Sequence, residues 1–160
     1  MALGDNTLAS ARGNTQRGRN PYMVQTTLNL ATALSDKGSA LAASDVIPVI
    51  AVAKGTMVMN AGIEVDTASD GSTFTVDLGM VDADAFVDGF DATSAAAVVA
   101  QNPAAYQPVM AVAKDNIDVT IATLSGGAVT TGKLRVWAVL MDCTDIGDMA
   151  ANEVDRDALA

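Results

Sequence analysis

An all-β domain, a β-sandwich or jelly roll of about seven or eight short strands, is the fold class this sequence predicts, and three observations predict it. Apolar residues recur with period two in several short runs. Turn sequences built on Gly, Asp, Asn and Pro separate those runs at fairly regular spacing. The nineteen acidic residues are all aspartate but two, and aspartate prefers turns and caps to helix interiors, because its short side chain bonds nearby backbone N–H groups.

Taken in order, the first run is PYMVQTTLNL, which sets Tyr22, Val24, Thr26, Leu28 and Leu30 on one face and Met23, Gln25, Thr27 and Asn29 on the other. STFTVDLGM places Phe74, Val76, Leu78 and Met80 inside, with Thr73, Thr75 and Asp77 outside. NIDVTIATL does the same with Ile117, Val119 and Ile121 against Asp118, Thr120 and Ala122. DVIPVIAVA and LRVWAVLM are apolar on both faces and read as strands lying deeper in a sheet, although Pro48 marks an edge or a bulge in the former. TMVMNAGIEV and YQPVMAVA are also extended in character. The turns fall at Lys54-Gly55, Ser69-Asp70-Gly71, Asp88-Gly89, Asn102-Pro103, Lys114-Asp115-Asn116 and Ser125-Gly126-Gly127. Residues 31–44 and the Ala-rich 91–101 suit either a short helix or a loop.

Two flanking segments differ from this body. Residues 1–20 carry Arg12, Arg17 and Arg19 against one acid, Asp5, in a chain whose net charge is −10. With no periodic apolar face they read as an extended, flexible, basic N-terminal arm that cannot offset its own ordering entropy. Two readings are open: a frayed terminus, or an arm that orders against a neighbouring subunit through Arg–carboxylate pairs. Residues 21–144 make the sandwich domain, and 145–160 an acidic C-terminal tail. A chain of 160 residues otherwise allows one ordinary domain with a core that needs no staple. No apolar run approaches the roughly 18 residues that cross a bilayer, and no export signal follows Met1. The acidity of the body disfavours nucleic acid and anionic membranes as partners, since phosphate binding needs surplus Lys and Arg.

Catalytic patterns are thin. The chain has no histidine, which removes His-dependent nucleophilic catalysis and His-ligated zinc. Cys143, the single cysteine, ends an apolar strand and reads as a packed or partly exposed thiol. Residues 127–133, GAVTTGK, match most of a phosphate-binding loop, but Leu134 follows where Ser or Thr should stand, and a strand follows instead of a helix. A hairpin turn is the better reading. Asp82, Asp84 and Asp88, with Asp91, crowd VDADAFVDGFDA and form the one weak calcium candidate; Phe86 falls at a ligand position and no Glu closes the loop. No cofactor is expected, and with aromatics at 4% no sugar-stacking platform either; Trp137 reads as core or interface.

The runs VIPVIAVAKGTMVMNAGIEVDTA, STFTVDLGMVDADAFVDGFDA and TTGKLRVWAVLMDCTD resemble segments of small virion proteins of tailed bacteriophages, over about residues 20–145. The resemblance implies a capsid decoration (cement) protein or related small head protein. Proteins of that group are commonly sandwich or jelly-roll oligomers, often homotrimers, seated on the lattice of the major capsid protein. It further implies a virion location after synthesis in the host cytoplasm, no enzymatic activity, and Arg12, Arg17 and Arg19 as capsid or subunit contacts. The alternatives are another phage structural part (head-fibre base, tail or shell-forming protein) or a carbohydrate-binding sandwich.

Overall fold

In the computed structural model, residues 20–100 and 108–143 are described. They form nine strands and one helix: β1 (Tyr22–Asn29), α1 (Leu30–Lys37), β2 (Val46–Val52), β3 (Thr56–Thr67), β4 (Thr73–Gly79), β5 (Val87–Asp91), β6 (Val98–Ala100), β7 (Val109–Met110), β8 (Asp115–Ser125) and β9 (Lys133–Asp142). Sheet A runs β1-β9-β3-β6, with the two-residue β7 also paired to β3; sheet B runs β2-β8-β4-β5. Every pairing is antiparallel. With β7 set aside, only β4 and β5 are consecutive strands of one sheet. Elsewhere the chain crosses from sheet to sheet, the double Greek key that defines a jelly roll.

The period-two runs account for the core. Phe74, Val76 and Leu78 of β4 and Ile117, Val119 and Ile121 of β8 point inward, against Val58, Ile63 and Val65 of β3 and Leu134, Val136 and Leu140 of β9; all are buried. In β1 the inward parity holds for Val24, Thr26 and Leu28, which are partly covered, whereas Tyr22 is 47% exposed at the strand's open end. Leu30 is fully buried but begins α1 rather than ending β1. Asn29 turns the chain there. Its side chain accepts a hydrogen bond from Ala31 N at 3.0 Å, capping the helix, and Gly38 closes the other end by donating to Leu34 and Ser35 carbonyls. Asn29→Ala is expected to lower unfolding free energy by about 1 kcal/mol, measured by urea titration; an unchanged midpoint would mean that the cap is idle.

Three expectations are corrected. DVIPVIAVA does not lie deep, and the reading of Pro48 as an edge or bulge marker holds instead: β2 is the edge strand of sheet B, with a register shift between Pro48 and Ile50. Proline has no N–H to give a second neighbour, so the edge is where it fits. LRVWAVLM, by contrast, is central, with β1 and β3 on its two sides. Asp88-Gly89 is no turn but a bulge inside β5, since Val76 pairs Phe90 while Leu78 pairs Val87. There two residues oppose the single Asp77, and Gly89, at φ 63°, donates its N–H to Asp77 Oδ1 at 2.7 Å. Turns and bulges share the demand for a positive φ that glycine meets without strain. Asp115 and Asn116 likewise belong to β8, the bend falling at 112–114. Of the two ambiguous segments, 30–37 is helical, and the described part of 91–101 is bends followed by β6. Asn102-Pro103, most of residues 1–20 and the tail 145–160 lie outside the described residues.

Candidate assembly surfaces

The β4–β5 loop carries the acids singled out from the sequence. After Gly79 the chain doubles back over its own strand. Met80 N and Ala85 N both donate to the Asp82 carbonyl, at 3.0 and 3.3 Å, and Phe86 drops into the core while its N–H donates to Leu78 O at 2.9 Å. Asp82 and Asp84 are left outside together. The hydrogen bond and the charge of Asp84 raise the Asp82 carboxyl above the usual carboxylate range. Asp88 sits in the β5 bulge and does not join them, and among the described residues no three acidic or thiol side chains are grouped as a metal site. Asp91 accepts hydrogen bonds from Thr93 N and Oγ1, which lower its carboxyl.

The phosphate-loop look-alike is a β8–β9 connection, as its strand context implies. Two of its backbone donors are already engaged: Asp70 Oδ1 accepts from Thr130 N at 2.8 Å and Thr131 N at 3.0 Å, and Asp70 Oδ2 from the Thr130 hydroxyl. The chain's own carboxylate thus holds the amides that an anion would need. These bonds, the Thr130 hydroxyl first, lower the Asp70 carboxyl to about 2. A depressed carboxyl stabilises the fold above its unfolded-state value and loses that effect as pH falls toward the folded-state value. Asp70→Asn should therefore melt below the parent at pH 7, with the gap closing between about pH 4 and pH 2. A pH-independent gap in paired thermal melts would refute this assignment. Nothing in the local sequence near Asp70 signals the contact beyond its place in a turn.

On the outer face of sheet A, Arg135 spans two acids of β3, reaching Glu64 at 2.8 Å and Asp66 at 3.3 Å. Trp137 is half-buried there, between Gln25 of β1 and Gly62 of β3. It is thus on the outer surface, not in the core between the sheets. Met23, Val98 and Met110 lie on the same sheet and are exposed, Met23 by 63%. Cys143 follows β9, half-buried, its N–H donating to Gly55 O at 2.8 Å. On the outer face of sheet B, Asp118 stands opposite Pro48 and Gly79. Burial first, and then the charge of Asp115, raise its carboxyl, and its Oδ1 is buried without a hydrogen-bond partner. Arg12, Arg17 and Arg19 lie outside the described residues.

One concavity is formed where the free edges of the two sheets meet. β1 and β2 touch, and α1 packs over the join. A cavity of about 390 Å³ opens between α1 and β2, lined chiefly by Ala33, Leu41, Ile47 and Pro48, with Asp36 at its border. The Lys37 ammonium crosses it to the Asp45 carboxylate and the Ala40 carbonyl.

A chain in the cyanophage Pam1 capsid asymmetric unit superposes with a TM-score of 0.57 at 17% identity, over 88% of this chain and 97% of that one. A chain in the capsid of Ralstonia phage GP4 gives 0.55 at 16% identity, over 79% and 86%. The fold is one found in phage capsids. No protein-family model matches the chain, and no curated protein matches it. The capsid jelly roll is therefore shared in architecture with little sequence in common. That is what a fold specified by alternation and turn chemistry allows, since many sequences satisfy both.

Proposed function

We propose that the chain is a structural component of a phage head, a capsid decoration (cement) protein that binds the major capsid protein lattice and stabilises the shell. The observation that carries this reading is the coverage of the fold match in both directions. Almost all of the Pam1 capsid chain is spanned by almost all of this one. A small rigid sandwich reinforces a lattice by burying surface across subunit boundaries, and the exposed Met23, Val98 and Met110 of sheet A supply apolar surface for it. The acting form is a homo-oligomer, a trimer where it sits on a threefold position. The segment 1–20 is its anchoring arm, with Arg12, Arg17 and Arg19 as contacts to a capsid or subunit neighbour. The protein is made in the host cytoplasm and ends on the capsid surface.

The test adds purified protein to undecorated shells of the major capsid protein encoded with it. Saturable binding at symmetric positions in cryo-electron microscopy, with a raised shell melting temperature, is expected. Closure of the purified protein alone into shells would instead make it the shell-forming protein, and neither behaviour would end the capsid reading.

A further inference from the structure

The groove beneath α1 is longer than its first cavity. A second depression of about 310 Å³ lies alongside and shares Ala33, Asp36, Ile47 and Pro48 with it, so the two are one trough along the flank of the sandwich. The floor of the first depression is mainly apolar, the second mixes Thr27, Asn29 and Thr32 with Leu28 and Ile47, and one wall is β2, an edge strand with no further strand beside it among the described residues. Unpaired edge groups beside an apolar trough are what an added extended segment uses, the backbone supplying hydrogen bonds and the trough taking side chains. The charge of the trough is one-sided. Lys37 is held by Asp45, whereas Asp36, which borders both depressions, has no ion-pair partner among the described residues.

We propose that this trough receives the N-terminal segment, residues 1–19, of a second copy of the chain, with its arginines meeting Asp36. Three observations select this occupant. First, the segment is the one stretch of this acidic chain with clustered positive charge, Arg12, Arg17 and Arg19 against Asp5. Second, its reach suffices: nineteen extended residues span about 60 Å. Third, the direction of the chain favours a neighbour's trough over the molecule's own. Tyr22 pairs with Leu140 and Asn29 with Lys133, so the chain enters β1 seven residues, about 23 Å, from the trough, which lies at the Asn29 end. Asn20 precedes Pro21, and a residue before proline is held extended. Reaching its own trough would take a reversal of direction before Asn20, whereas the trough of a neighbouring copy takes none. This contact joins copies of the chain and does not rest on the capsid reading.

Full-length protein in a Cys143→Ser background tests it. One variant carries Thr15→Cys in the segment, and a second, distinguished by a size tag, carries Thr32→Cys at the exposed rim of the trough. Mixed under mild oxidation, they should form the mixed disulfide about tenfold faster than Thr15→Cys does with Val81→Cys, because docking raises the effective concentration. Val81 is the control because it is 91% exposed on the β4–β5 loop. Adding Asp36→Arg to the trough copy should slow the reaction about threefold, the scale of an exposed ion pair. Equal rates for Thr32→Cys and Val81→Cys overturn the proposal. So does a Thr15→Cys/Thr32→Cys double variant that closes only within one molecule at every dilution, which would place each segment in its own trough. Thermal melts of each variant confirm that the compared proteins are folded.

Discussion

Gly79→Ala is expected to lower unfolding free energy by about 3 kcal/mol, the upper end of what forced overpacking does. A Cβ at position 79 would lie 1.9 Å from the Asp82 carbonyl oxygen and 2.4 Å from the Ala83 carbonyl carbon. Both are backbone atoms, so no rotamer change relieves the overlap; the β4–β5 loop itself has to move. Moving it would break the bonds from Met80 N and Ala85 N to Asp82 O and lift the loop from the sheet beside Asp118. Urea unfolding gives the stability change, and hydrogen exchange at 80–86 locates it. A loss below about 1 kcal/mol with unaltered exchange would show that the loop yields cheaply.

Phe86→Ala is expected to cost about 4 kcal/mol, the middle of the range for emptying a buried phenylalanine site. The side chain is fully buried although it comes from a loop, and its N–H is bonded to Leu78 O, so the surrounding strands have little freedom to collapse into the space. For a domain of this size the melting temperature should fall on the order of 15 °C. Such a loss is a large share of a typical domain's 5–15 kcal/mol of stability. Because Gly79 and Phe86 hold the two ends of one loop, the double variant should lose less than the sum of the two. Strict additivity in a double-mutant cycle would mean that the ends are fixed independently.

The strands with one wet face were legible in the sequence because alternation is a direct imprint of the pleat, as Phe74, Val76 and Leu78 show. β2 was misread for a physical reason. A strand apolar on both faces usually lies between covering layers, but here α1 shields part of one face while Val46 remains 57% exposed at the sheet edge. Asp88-Gly89 was misread because a bulge and a turn ask for the same glycine. Asp70 could not be recognised as the clamp of the GAVTTGK loop, because its partners lie 60 and 61 residues further along the chain. The trough was invisible for a related reason: it is made by the meeting of two sheet edges with a helix whose own sequence fits loop or helix equally.

The position of β9 governs when this molecule can come into being. It is among the latest strands of the described chain to be synthesised, yet it lies between β1 and β3, holding the earliest strand in place. Until residues 133–142 have left the ribosome, β1 has no partner strand among the described residues and the inner face of sheet A is split down the middle. Such non-local pairing makes closure slow relative to local folding. A nascent chain must therefore keep Val24, Leu28 and Leu30 from wrong partners for most of its own synthesis. A translation product that stops short of β9 could still pair the strands of sheet B, but the inner face of that sheet would have no closed sheet A to cover it, and the product would be material for proteolysis rather than a weakened copy.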